Sequence, residues 1–154
     1  IQIITKAYLE SCVAANAFIG NYIRNELLSR EGLCAQILDE TVDFYLPMAE
    51  LTGTLWENMT TVASCNHGFA SHIAHILYRD ILGVYNVSPT EKMVTLRIID
   101  SGMEHCKGSI PVGEESVDVE WKKEGGKFVV ALSLPTGYSY KVVQSASEVC
   151  VDLK

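Results

Sequence analysis

Trp56 and Glu57 stand side by side in the stretch TGTLWENMTTVASCNHGFASHIAHILYRD, from Thr52 to Asp80. A carboxylate can pass a proton or activate water, and an aromatic face can stack on the apolar face of a pyranose. The pair therefore suits the cleavage of a sugar. The same dipeptide also reads as a core-anchoring tryptophan beside a solvated glutamate, and spacing alone leaves both readings open. Farther along, His67 opens an amphipathic helix. It can project into a cleft toward a ligand hydroxyl, or it can sit in the cap region beside Asn66, a good N-cap residue. His72 and His75 lie three apart on one side of that helix. Such a pair can bind a metal, but no third ligand has suitable spacing, and HxxH lacks the glutamate of HExxH. Surface or packing roles are expected for both, with no metal and no cofactor. Asn58-Met59-Thr60 and Asn86-Val87-Ser88 match N-glycosylation sequons. Such short matches are frequent by chance, and Pro89 disfavours the second.

The elements that must hold these residues change period midway. Ala15, Ile19, Tyr22, Ile23 and Leu27 recur at helical spacing, with Gly32 as a stop signal. A second helix carries Leu33, Ile37, Phe44, Tyr45 and Met48 on one broad face, and Thr52-Gly53-Thr54 ends it. A third helix is expected from near Asn66, burying Phe69, Ile73, Ile76, Leu77 and Ile81, with Gly83 just past its end. Residues 1–14 read equally as loop or helix. Beyond Gly83 the period falls to two. Val117, Val119 and Trp121 alternate with polar neighbours, as do Phe128, Val130, Leu132 and Leu134. The KEGGK between them carries Gly125-Gly126, suited to a tight hairpin. Residues 93–98, 138–142 and 149–151 read as further short strands. The expectation is α+β: a helical segment over 1–84 and a small antiparallel β-sandwich over 85–154. Three helices with wide apolar faces do not close a core alone. They pack on the sheet or end a larger helical array, and Ile1 in place of a methionine favours the array.

Composition narrows the function classes. The chain has 154 residues, 48% hydrophobic, with a net charge of -7 and no basic run. Phosphate backbones are bound by clustered Lys and Arg, so nucleic acid is not an expected partner. No apolar run approaches the roughly 20 residues that span a bilayer, and no membrane partner is expected. Cys12, Cys34, Cys65, Cys106 and Cys150 are scattered, odd in number and without a CxxC, which fits small buried residues better than a disulfide framework or structural zinc.

Three segments in order, TGTLWEN, then SCNHGFASHIAHILYRDILGV, then GSIPVGEESVDVEWKKEGGKFVVALSLPTGYSYKVV, resemble the C-terminal end of bacterial α-L-rhamnosidases of glycoside hydrolase family 78. The matching positions are Thr52 or Thr54 with Trp56-Glu57, then Ser64-Cys65-Asn66-His67, then Ser116 through Trp121 and Pro135. The resemblance runs from about Asn16 onward and lies in the order and spacing of the three motifs. It implies the last helices of an (α/α)6 barrel followed by a terminal β-sandwich. It also implies a rhamnoside substrate, with Glu57 as the general base that activates water for inversion, Trp56 helping to line the sugar pocket and His67 contacting the bound rhamnose. Ser116 stands where the family usually has glycine. The family's general acid lies in an earlier barrel segment with no counterpart here, and Glu50, at the end of the second helix, has no feature that promotes it to that role. Inverting hydrolysis needs two carboxyl groups about 6.5–9.5 Å apart, so the chain alone is expected to be inactive. Helices cut from a barrel are expected to self-associate through the apolar faces of residues 15–50, or to be disordered there. Two other readings are a non-catalytic module that braces a barrel or binds glycan, and the tail of another six-hairpin glycosidase acting on fucose or an unsaturated uronic acid. The compartment stays open between periplasmic or extracellular and cytoplasmic.

Overall fold

The computed structural model describes residues 19–58, 62–143 and 148–154. The expectations for Cys12, Ala15 and residues 1–14 fall outside them. The fold is α+β and divides into two compact units between Ile76 and Leu77. The change of sequence period puts the boundary at 84–85. Leu77–Ile81 forms a π-helical turn, and the indole of Trp121 donates to the carbonyls of Ile81 and Leu82 at 3.3 and 3.2 Å, tying this segment to the strands.

The first unit contains α1 (Ile19–Arg30), α2 (Cys34–Thr52), a 3-10 turn (Gly68–Ser71) and the short α3 (His72–Ile76). In α2 the expected residues Ile37, Tyr45 and Met48 are buried, joined by Cys34, while Leu33 is exposed. In α1 the buried face is largely polar: Asn21, Arg24, Asn25 and Ser29 go in with Leu28. Ile19, Tyr22 and Ile23 face outward. The reason is the partner: α2 offers Glu40 to Arg24, which binds it through Nε and Nη2, both at 2.5 Å. The uninterrupted third helix is corrected to a 3-10 turn, one α-helical segment and a π turn. Ile73, Ile76 and Ile81 are buried as expected, but Phe69 is 74% exposed.

The second unit holds two sheets. One has the order β1 (Val84–Ser88), β2 (Met93–Leu96), β6 (Ser139–Val142). The other has the order β3 (His105–Val112), β4 (Glu115–Glu124), β5 (Lys127–Ser133), β7 (Val149–Leu153). The pairs β1–β2, β3–β4 and β4–β5 are antiparallel, whereas β2–β6 and β5–β7 are parallel, so both sheets are mixed. The alternation read from sequence is observed: Val117, Val119 and Trp121 from β4 meet Phe128, Val130 and Leu132 from β5 in one core with Val94, Leu96 and Ile98. Trp121 and Phe128 touch edge to face, with centroids 5.3 Å apart. Gly125 and Gly126 both have positive φ, 58° and 81°, as a tight turn between twisted strands requires. Gly83 also has positive φ, 87°, and a Cβ there would run into the Ile98 side chain. Two strands escaped the sequence reading. β3 contains Gly108 and Pro111, which argue against a strand, but it lies at a sheet edge where a proline is tolerated. β1 carries a register irregularity between Val84 and Asn86 that breaks its alternation.

Candidate functional site

The two motif segments of the first unit, 54–57 and 64–67, lie alongside each other. Gly53 caps α2 in the left-handed conformation, its N–H returning to Ala49 O, and turns the chain into the first segment. Three hydrogen bonds then cross between the segments. Thr54 Oγ1 donates to Cys65 O. His67 N donates to Leu55 O at 2.9 Å, and Glu57 N donates to Ser64 O at 2.8 Å. Residues that were separate in sequence, Glu57 and His67, thus belong to one laced loop. Ser64 Oγ closes a local turn on Asn66, contacting its O at 3.2 Å and accepting from its N at 3.4 Å.

Trp56 is 6% exposed. Its Nε1 donates to Thr52 Oγ1 at 2.7 Å, and its backbone N approaches Met48 Sδ at 3.4 Å. Thr52 Oγ1 in turn lies 2.8 Å from Thr54 Oγ1 and 3.1 Å from Met48 O. Glu57 is half-buried, and its backbone is held. Thr52, Thr54 and Ser64 are framework residues whose chemistry the sequence reading did not assign. The i, i+4 spacing of Thr52 and Trp56, across the end of a helix, was the available signal.

His67 is half-buried, and its ring stacks on Phe69 with centroids 5.9 Å apart and planes 29° apart. His72 meets Tyr22 and Tyr45 edge-on at 5.6 and 6.4 Å, and its Nδ1 lies 3.0 Å from Phe69 O. Burial lowers the pKa of His72 below the ordinary 6.5, and the Phe69 carbonyl and Glu26 oppose that shift. Burial also raises the Tyr45 phenol to about 12, with an Asn21 hydrogen bond pulling the other way. Tyr22, Phe69 and His72, with Ile19, line a recess of about 250 Å³. His72 therefore has an aromatic, apolar setting. Among the described residues no group of three or more His, Cys, Asp or Glu is placed to hold a metal.

Among the described residues of the second unit there is nothing comparable. Tyr140 on β6 and Tyr138 just before it are half-buried against the sandwich core. Asp80, buried, is held by Arg97 and by Arg79 at 2.9 Å, a structural charge cluster beneath the strands. No disulfide joins Cys34, Cys65, Cys106 and Cys150. No described helix is long and apolar enough to cross a membrane.

No protein-family model matches the chain, and no curated protein matches it. A solved structure does. The fold is similar to that of a GH78 family rhamnosidase of Bacillus sp. GL1, with a TM-score of 0.77 and 18% sequence identity. The likeness covers 99% of this chain and 18% of that one. The chain thus shares its fold with a segment of that protein and spans less than a fifth of its length.

Proposed function

We propose that the chain is the C-terminal part of an inverting α-L-rhamnosidase-like glycoside hydrolase. Its helices form the end of an (α/α)6 barrel, and its sandwich follows them. The observation that carries this reading is the lacing of the two motif segments. Glu57 N bonds Ser64 O and His67 N bonds Leu55 O, so the two residues are carried on adjacent backbone segments. The fold likeness to a rhamnosidase over 99% of the chain supports it.

In this reading Glu57 accepts a proton from water as the water attacks the anomeric carbon. Its half-exposure suits that task, since the base must reach a solvent molecule. His67 contacts the rhamnose hydroxyls. Trp56 belongs to the site through the segment it anchors. The general acid comes from a barrel segment preceding this chain, because inversion requires a second carboxyl group on the other side of the scissile bond. The 154-residue chain by itself is therefore expected to be inactive.

The test uses an aryl α-L-rhamnoside and two proteins, this chain and the polypeptide extended upstream in its natural reading frame. The extended protein should hydrolyse the rhamnoside with inversion, and this chain should not. Glu57→Gln in the extended protein should lower kcat by about 10²–10⁴-fold, the usual contribution of a general base. A variant with the wild-type rate, or hydrolysis by this chain alone, would overturn the reading.

A further inference from the structure

We propose that Trp56, Thr52 and Thr54 are positioning residues, a one-way hydrogen-bond relay that locks the Glu57 segment against the His67 segment. The indole in this arrangement serves the protein frame rather than a sugar face. The functional weight of the relay rests on the reading of Glu57 as the water-activating base.

The direction of the relay follows from counting protons. A threonine hydroxyl has one proton and two lone pairs, and an indole N–H only donates. Trp56 Nε1 donates to Thr52 Oγ1. Thr54 Oγ1 spends its proton on Cys65 O. With the Thr54 proton spent, the 2.8 Å contact between the two hydroxyls takes the Thr52 proton, for which it is shorter than the 3.1 Å contact to Met48 O. The chain is then Trp56 Nε1–H to Thr52 Oγ1–H to Thr54 Oγ1–H to Cys65 O. Met48 O, 3.1 Å from Thr52 Oγ1, is a second acceptor for the same Thr52 proton. The relay begins in a buried ring and ends on the backbone between Ser64 and His67. It therefore couples the packing of the tryptophan to the register of the two segments. An indole that is 6% exposed and has its one polar hydrogen engaged offers little face for stacking on a pyranose.

The experiment is hydrogen exchange by NMR on the uniformly ¹⁵N-labelled 154-residue chain. It follows the two indole N–H signals, from Trp56 and Trp121, and the amides of Glu57 and His67. Thr52→Val keeps the shape and removes the hydroxyl. It should speed exchange at the Trp56 indole and at the Glu57 and His67 amides by about fivefold, the scale of one lost hydrogen bond. The Trp121 indole should keep its rate. Thr52→Ser restores the hydroxyl and should return all three rates toward wild type. Thr54→Val should speed the Glu57 and His67 amides while the Trp56 indole stays slow, because its acceptor remains. Wild-type amide rates in Thr52→Val, or no recovery in Thr52→Ser, would overturn the relay. If Thr52→Val loses its helical circular dichroism, Thr54→Val decides alone, and unchanged amide rates there overturn the proposal. None of these readouts involves a sugar. Failure of rhamnoside hydrolysis would remove the assignment of Glu57 as base and leave the relay standing.

Discussion

Arg24 on α1 binds Glu40 on α2 through two parallel bonds, Nε to Oε2 and Nη2 to Oε1, each 2.5 Å long. Gln36 Nε2 adds a third donor to Oε1 at 2.7 Å. The guanidinium is nearly buried and the carboxylate about one-third exposed, so removing one partner should cost less than in an enclosed ion pair and more than in a surface one. It explains why α1 presents its polar face to α2.

Removing the carboxylate charge is the first test of that pairing. Glu40→Gln should destabilise the helical unit by about 1–2 kcal/mol, the range for a hydrogen bond to a charged group discounted for partial exposure. Urea unfolding followed by far-UV circular dichroism measures it. An unchanged midpoint would mean that α1 and α2 are held by Leu28, Ile37 and their apolar neighbours alone.

Acid should weaken the same unit through His72. Burial holds its folded pKa below the unfolded value near 6.5, against the pull of the Phe69 carbonyl and Glu26 and with help from His75. Between those two pKa values the unfolded chain binds the extra proton, so stability rises with pH there. Stability should fall as pH drops below about 6.5 and level off once the folded imidazole is also protonated. His72→Gln should flatten that slope. An NMR titration placing the His72 midpoint above 6.5 would reverse the sign and defeat the argument.

Base should act through Tyr45 in the opposite sense. Its folded pKa is about 12 against an ordinary 10.0, chiefly because of burial. Between these values the folded state keeps a proton that the unfolded state has lost, so stability falls with rising pH. Tyr45→Phe should remove this alkaline slope, at the cost of the Asn21 hydrogen bond at neutral pH. A spectrophotometric tyrosine titration in which all phenols ionise near pH 10 would contradict it.

Trp121 should be the costliest single truncation in the sandwich. It is fully buried, packs edge-on against Phe128 and donates to Ile81 O and Leu82 O. Trp121→Ala should cost about 3–5 kcal/mol, the range for deleting a large core aromatic. Trp121→Phe should cost less, keeping the ring but leaving the two carbonyls without the indole donor. Differential scanning calorimetry ranks the two variants, and equal melting temperatures would refute this ordering.

Exposed apolar residues should make the helices adhesive. Ile19, Tyr22 and Ile23 on α1 and Val42, Leu46 and Leu51 on α2 are exposed. We expect concentration-dependent self-association in sedimentation velocity, reduced by Tyr22→Lys with Ile23→Lys. A monomer at all accessible concentrations would show that these side chains are tolerated in water.

Much of this protein was legible in its sequence because the signals were local. The change from a period near 3.6 to a period of two separates helices from strands, since Cβ directions repeat with those periods. The Gly-Gly hairpin and the alternation of Val117, Val119 and Trp121 follow from backbone sterics and burial on one sheet face. The motif order from Trp56-Glu57 to Asn66-His67 was also visible. What only the tertiary structure decided depends on partners distant in sequence. Which face of α1 turns inward is set by Glu40 on another helix. Whether Leu77–Ile81 belongs with the helices or the strands is set by Trp121, far along the chain. The parallel pairing of β6 with β2 and β7 with β5 depends on where each strand finds an open edge. Burial of Trp56 depends on an acceptor at Thr52 and packing around Met48. A sequence states what each residue can do, and the free energy of contacts between remote segments selects which of those capacities is used.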